Sequence, residues 1–235
     1  MSRSRWLIVI AFLLAAMVCV RLGFWQLGRL RERRVENAAA RAARSAPIML
    51  LTGEVLDSNL LNRRIRALGR YDHAHDIVVR GQVYRGVPGV EIVTPLVLEG
   101  ALNTAVLVNR GFVPAPDAVT VDPTVVQEPG RRQVEGIALP VDTAGGAPLR
   151  RGASVTWARL DRDALESRLP YRVYPFYIRQ APDSGRSFPR RLDPPALNDG
   201  PHLNYAIQWF AFAGLAVIFA GIMASLKPPG HRAPQ

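Results

Sequence analysis

Cysteine is almost missing from this 235-residue chain: Cys19 is the only one, and it lies inside an apolar run. A single cysteine closes no intrachain disulfide. It also leaves no Cys-x-x-Cys or Cys-x-x-x-Cys pair for thiol exchange, zinc, or copper delivery through thiolates. Lysine is nearly absent too, with Lys227 against twenty-nine arginines, a bias we attribute to genome composition. Acidic residues are missing from both ends. All nineteen lie between residues 28 and 200, beside twenty-five of the basic ones, an excess of six positive charges. That excess is spread along the segment and carries no nucleic-acid reading motif, which argues against DNA or RNA as a partner. Contact with anionic lipid head groups accounts for some of the arginines instead. There is no Gly-x-Ser-x-Gly elbow, no His-Glu-x-x-His and no phosphate-binding loop ending in Lys-Ser or Lys-Thr. The familiar hydrolase and nucleotide signatures are therefore lacking.

What the chain does have is two long apolar runs near its ends. Residues 6–27 carry one charge, Arg21, and residues 205–226 carry none. At about 1.5 Å per residue, either run crosses a hydrocarbon core of roughly 30 Å. The expected organisation is a tail at 1–5, a transmembrane helix at 6–27 and a water-soluble domain at 28–200. A helix start and second transmembrane helix follow at 201–226, and a tail at 227–235. Arg3 and Arg5 before the first span, and Lys227, His231 and Arg232 after the second, place both tails in the cytoplasm. The middle domain is then extracytoplasmic, which its arginines do not oppose, because long domains cross largely regardless of charge. A cleaved signal peptide is the competing reading of the first run. No Ala-x-Ala site stands near residue 22, so an uncleaved anchor is the better one.

From Gln26 to Ala46 the pattern predicts a solvated continuation of the first helix, with a narrow apolar side of Leu27, Leu30, Val35 and Ala38, ended by Pro47. The period then changes. Segments rich in β-branched residues predict strands at 63–71, 77–84, 90–98, 105–112, 132–139, 154–160 and 173–179, with Gly86-Val87-Pro88-Gly89 as a tight turn. Short strands at close spacing, without helices between them, predict an antiparallel sheet or small β-barrel. The fold class is thus a two-span α+β membrane protein with a mainly-β extracytoplasmic domain. Asp161 to Leu169 reads as one short helix capped by Asp161. Residues 114–129 and 142–152 read as loops, and 183–200, with Pro189, Pro194 and Pro195, as an extended connector.

Two groups of residues invite a chemical reading. In Tyr71-Asp72-His73-Ala74-His75-Asp76 the two histidines, flanked by carboxylates, resemble a partial metal site, but no third or fourth ligand is evident. A polar turn between strands is the simpler account. An extracytoplasmic enzyme built on this cluster is a distant alternative. The second group is Pro201-His202-Leu203-Asn204-Tyr205-Ala206-Ile207-Gln208-Trp209. At about 100° per residue, His202, Tyr205 and Trp209 share one helix face, which Phe212 extends a turn deeper. A neutral imidazole beside large aromatic rings suits the iron and the flat face of a haem. An ordinary polar residue at a helix start is the plainer possibility. At the end of the first span Trp25 and Arg29 stand one turn apart, which interfacial anchoring explains without any ligand.

Four segments taken together resemble the surfeit-locus-one family of membrane proteins. They are Leu22-Gly-Phe-Trp-Gln-Leu-Gly-Arg29, Gly86-Val-Pro-Gly-Val-Glu-Ile-Val-Thr-Pro-Leu96, Val106-Leu-Val-Asn-Arg-Gly-Phe-Val-Pro114 and His202-Leu-Asn-Tyr-Ala-Ile-Gln-Trp-Phe210. They occur in the family's order, and the likeness is thin over roughly 115–195. The resemblance implies two spans around an extracytoplasmic β domain. It implies a non-enzymatic factor for assembling haem–copper cytochrome c oxidase, which helps haem a reach subunit I alongside other assembly factors. It further implies haem a held through His202, with Tyr205 and Trp209 against the porphyrin. Trp25 and Arg29 match the first-span motif, and Arg29 is the residue expected to pair with a haem propionate. The alternative in this setting is a membrane-anchored scaffold that binds oxidase subunits without touching haem. Two departures are conservative: Arg33 stands where the family often has lysine, and Phe112 where tryptophan commonly follows Arg110-Gly111. Arg110 itself reads as a turn or strand-end residue making backbone contacts.

Overall fold

The computed structural model describes residues 3–53, 60–142, 148–151, 154–183 and 188–226. The chain divides into two compact units, one formed by its two ends (1–39 and 197–235) and one by residues 40–196. The expected cytoplasmic charges at Lys227, His231 and Arg232 lie outside the described residues, as does most of the 142–152 loop.

The terminal unit is a helix pair. Helix α1 runs from Arg3 to Ser45 without a break. No proline interrupts it, and it stops two residues before Pro47, whose ring disfavours helix in the residue ahead of it. The last helix, His202–Ser225, is 24 residues long and carries no charged side chain. Both are long and apolar enough to cross a membrane. The buried positions of α1 are Val9, Ala16, Gly23, Gln26, Leu30 and Asn37. Those of the last helix are Ala206, Ala213 and Ala220. This near-heptad spacing of mostly small residues marks two helices packed along a narrow seam, where small side chains let the backbones approach. Phe12 stacks on Phe219 at 5.8 Å and Phe24 meets Phe210 edge-on at 5.4 Å. Arg5 Nη1 donates to the Leu226 carbonyl at 2.8 Å. The pair is therefore antiparallel.

The second unit is a β domain. Its strands are β1 (Met49–Leu51), β2 (Arg64–Tyr71), β3 (Ile77–Tyr84), β4 (Val87–Leu98), β5 (Thr104–Pro114), β6 (Arg131–Pro140), β7 (Leu149–Arg151), β8 (Ser154–Trp157) and β9 (Arg172–Gln180). A short helix α2 (Arg162–Glu166) precedes β9, and the terminal helix is numbered α3. Strands β2, β6, β9, β5 and β4 follow one another, and β4 pairs back to β2 through Gly69↔Leu98 and Tyr71↔Leu96. The sheet thus closes into a five-stranded barrel, which removes its edges. Strand β4 makes closure possible by dividing its length. Its first half pairs with β3 and its last residues with β2, and its pairing with β5 shifts register at Ile92/Val93. Ile65, Ala67, Leu96, Val106, Val108, Val134, Phe176 and Ile178 fill the core.

The strand expectations hold with small changes of boundary, and Asp161 caps α2 by accepting from Ala164 N at 3.0 Å. Three details differ. The β3–β4 turn is Arg85-Gly86, with φ of 51° and 80°, and Tyr84 already pairs with Val87. Two residues of positive φ make a hairpin turn whose twist matches the strands, so Pro88 lies within β4. Strand β8 ends at Trp157, three residues early, and Leu160 instead joins the cluster beneath α2. The ring is antiparallel except at β5–β9, and β1–β2 and β3–β8 are parallel as well.

Candidate functional site

His202 opens α3, and the chain before it is held in place. Asn37 is buried and donates from Nδ2 to the Asn198 carbonyl (2.9 Å) and to Asp199 Oδ1 (3.1 Å). Arg34 Nε donates to Asp199 Oδ2 at 3.0 Å. Gly200 then turns the backbone at φ +70°. These contacts fix where α3 begins, and with it the side chain at position 202.

The imidazole of His202 points at α1. Its Nδ1 lies 2.9 Å from Gln26 Oε1, and Gln26 is only 9 % exposed. An amide oxygen is an acceptor, so the tautomer that satisfies this contact is the one with hydrogen on Nδ1, which leaves Nε2 its lone pair. Gly200 lies against the Nε2 edge of the ring: a Cβ there would stand 3.4 Å from Cδ2 and 3.5 Å from Nε2, at ordinary contact distance. A metal ligand of the Nε2 type, with its other nitrogen tied to an oxygen, is what this geometry can supply.

The remaining expected residues are partly gathered around it. Trp209 lies on the histidine's face of α3, edge-on to Phe212 at 6.0 Å, and Tyr205 is half exposed between them. On α1, Trp25 is exposed and lies between the levels set by the Gln26–His202 and Phe24–Phe210 contacts, the depth that Tyr205 and Trp209 occupy on α3. Arg29 is one turn beyond Trp25 and is held by Glu32 at 2.5 Å, both side chains about half exposed. Such an exposed pair is weak and is readily exchanged for another anion. Among the described residues neither Trp25 nor Arg29 hydrogen-bonds to, or stacks on, a residue of α3. The structure therefore joins His202 to the first span through Gln26, which the sequence reading did not single out. A glutamine inside an otherwise apolar helical stretch was the available signal.

The Asp72–Asp76 segment is a polar turn. His75 Nδ1 lies 2.7 Å from Asp72 Oδ2, and Tyr171 also donates to that carboxylate. His73 uses both ring nitrogens, Nδ1 toward Asp76 Oδ2 at 3.2 Å and Nε2 accepting from Glu128 N at 3.0 Å. No group of three or more His, Cys, Asp or Glu among the described residues is arranged to hold a metal.

Arg110 departs most from its expectation. It is fully buried. Its guanidinium sits 5.0 Å above the Tyr71 ring and donates to Glu128 Oε1 at 2.8 Å, to Thr94 Oγ1 at 3.3 Å and to the Val126 carbonyl. Arg191 reaches the same Glu128 oxygen at 2.6 Å and also donates to the Arg110 carbonyl. Thr94 donates in turn to Asp76. A buried network therefore ties the His73 turn, two strands of the barrel and the 189–191 segment together. Burial alone pushes the Glu128 carboxyl up. The hydrogen bonds and charges of Arg191 and Arg110 together outweigh it and hold the group down at about 2.

Comparison with known proteins agrees with this architecture. The model of the SURF1 family matches residues 13–214. A SURF1-like protein of Rickettsia felis is 26% identical over 215 residues, covering 88% of this chain and 92% of its own. An uncharacterized SURF1-like protein of Mycobacterium tuberculosis is 26% identical over 230 residues, covering 93% and 81%. One from Monosiga brevicollis is 24% identical over 222 residues, covering 88% and 84%. The matched region takes in the whole barrel, most of α1 and the first half of α3, and this protein belongs to the SURF1 family.

Proposed function

We propose that this chain is a bacterial inner-membrane factor that binds haem a at His202 and helps deliver it to subunit I of a haem–copper cytochrome c oxidase. Family membership supports the coarser part, a role in cytochrome oxidase assembly. The observation that supports the finer part is the 2.9 Å contact of His202 Nδ1 with Gln26 Oε1, since the tautomer that satisfies it leaves Nε2 available to a metal. Iron ligation is the chemistry the cargo brings. The chain supplies one imidazole, the aromatic faces of Trp209 and Tyr205, and Trp25 and Arg29 at matching depth on the first helix. Arg29 can release Glu32 to take a propionate. A carrier has to let go, so a single protein ligand suits transfer better than a closed cage with two. With both tails in the cytoplasm, His202 stands at the outer end of α3, where the membrane gives way to the extracytoplasmic side.

A scaffold that binds oxidase subunits through the β domain is the second reading. What favours it is the tip of the β3–β4 hairpin. Val83 and Val87 are exposed there, and the Arg85 and Arg190 guanidiniums lie over the Tyr84 ring at 5.4 and 5.5 Å. The two readings separate when the full chain is purified from cells that make haem a. Coloured protein with a haem a spectrum supports the carrier. Colourless protein that still brings oxidase subunits with it supports the scaffold.

A further inference from the structure

We infer that Gln26 is a positioning residue for His202: it selects the Nδ1–H tautomer and so presents Nε2 as the ligand atom. This rests on the haem reading for its purpose, but its geometry stands independently. A glutamine buried in the packed seam of an apolar helix pair needs a partner, because an unsatisfied amide there is costly. The partner it has is one ring nitrogen of His202, at 2.9 Å. Gln26 follows Gly23 by three residues, and Gly23 is buried against Phe210 of α3. A Cβ there would lie 2.7 Å from the Phe210 ring. The Phe210 ring seated in the space at Gly23 packs α3 on α1 one turn from the amide, while the Asn37 and Arg34 contacts fix the histidine's own backbone.

Free imidazole exchanges between two neutral tautomers, and only the one bearing hydrogen on Nδ1 offers Nε2 to a metal. An acceptor fixed at Nδ1 removes that choice and orients the ring. Where such outer partners of metal-bound histidines are removed, affinity commonly falls by about 10- to 100-fold. Gln26 stands in that relation to His202, and it belongs to the first span whereas the ligand belongs to the second. The ligand is therefore correctly set only when the two helices are paired.

The test uses the full chain in lipid nanodiscs, first without haem. Nitrogen-15 NMR of histidine-labelled protein, with His202 assigned by His202→Ala, reads the tautomer directly. Wild type is expected as Nδ1–H. Gln26→Met keeps length and packing but removes the acceptor, and mixed tautomers are expected. Gln26→Glu keeps the acceptor and is expected to restore Nδ1–H. An Nε2–H tautomer in wild type, or an unchanged tautomer in Gln26→Met, overturns the proposal. The wild-type reading decides this even where Gln26→Met does not fold. Titration with haem a then addresses the site. Binding about tenfold or more weaker in Gln26→Met, and retained in Gln26→Glu, supports the positioning role. Equal affinity in Gln26→Met and wild type overturns it. Absence of binding in all proteins alongside the expected tautomers removes the haem reading and leaves the Gln26–His202 relation standing.

Discussion

Arg110 and Glu128 meet at 2.8 Å inside the β domain, with side chains 0% and 4% exposed, and Arg191 closes on the same carboxylate from the 189–191 segment. All three charges have left water, so each depends on the others. Removing Arg110 leaves Glu128 its Arg191 partner, so the cost is that of buried acceptors left unsatisfied at Glu128, Thr94 and the Val126 carbonyl, about 1–3 kcal/mol. Arg110→Met should lower the stability of the β domain by that order, measured as the denaturant midpoint of its β circular-dichroism signal. Arg110→Lys should recover little, since one ammonium cannot reach Glu128, Thr94 and the Val126 carbonyl together. A loss below about 1 kcal/mol in Arg110→Met contradicts this view of the network.

The same carboxylate sets an acid limit. Glu128 is held at about 2 in the folded chain against an ordinary 4.5. A depressed folded value means that the stabilisation is fully present above the unfolded value and is lost as pH falls toward the folded one. The domain should therefore hold steady above roughly pH 5 and weaken between about pH 4.5 and 2. Unfolding midpoints across that window, compared with Glu128→Gln, test it. The variant should be less stable at neutral pH and show a flatter dependence on acid. An equal slope in both proteins would assign acid sensitivity to other groups.

Gly23 tests the helix seam. A Cβ at this position would stand 2.7 Å from the Phe210 ring, whereas one at Gly28 would meet nothing within 4 Å. Gly23→Val should displace the Phe210 ring and loosen the helix pair, lowering the thermal midpoint of the full chain in detergent. Gly28→Ala, in the same helix, should be neutral or slightly stabilising, since alanine is favoured over glycine in a helix by about 1 kcal/mol. Similar losses at both glycines would mean that seam packing is not the cause.

The Asp72–Asp76 turn supplies a negative prediction. Both nitrogens of His73 are engaged within the protein, and His75 pairs with a carboxylate already shared with Tyr171. Exhaustive chelation should leave the thermal midpoint unchanged, and His75→Ala should leave the content of divalent metal unchanged. A drop in midpoint on chelation, reversed by zinc, would restore the metal reading.

Much of the architecture could be read from the chain because it is written in local patterns. The apolar runs, the stop before Pro47, the β-branched segments and the Asp161 cap each depend on neighbours in sequence. What could not be read is what depends on distant neighbours. Closure of the barrel rests on β4 pairing β3 with one half and β2 with the other, and nothing in β4 alone announces that. Arg110 looks like any strand-end arginine until Glu128 and Arg191, 18 and 81 residues away, converge on it. Within the candidate site, the helical period placed His202, Tyr205 and Trp209 on one face. The partner of His202 lies 176 residues earlier on the other helix, and no periodicity within α3 points to it. The turn at Arg85-Gly86 was displaced for a simpler reason: Pro88 suggested a turn, but it sits early in a strand where its missing N–H is tolerated.

The central claim is that His202 holds haem a, and the most direct measurement is the amount of haem a bound per chain. Full-length protein and its His202→Ala variant, purified from cells that synthesise haem a, would be compared by pyridine haemochrome assay, with matched helix content as the check on folding. The account predicts haem a bound to the wild-type chain and little or none in the variant. Equal haem a in both proteins, or none in the wild type, would contradict it.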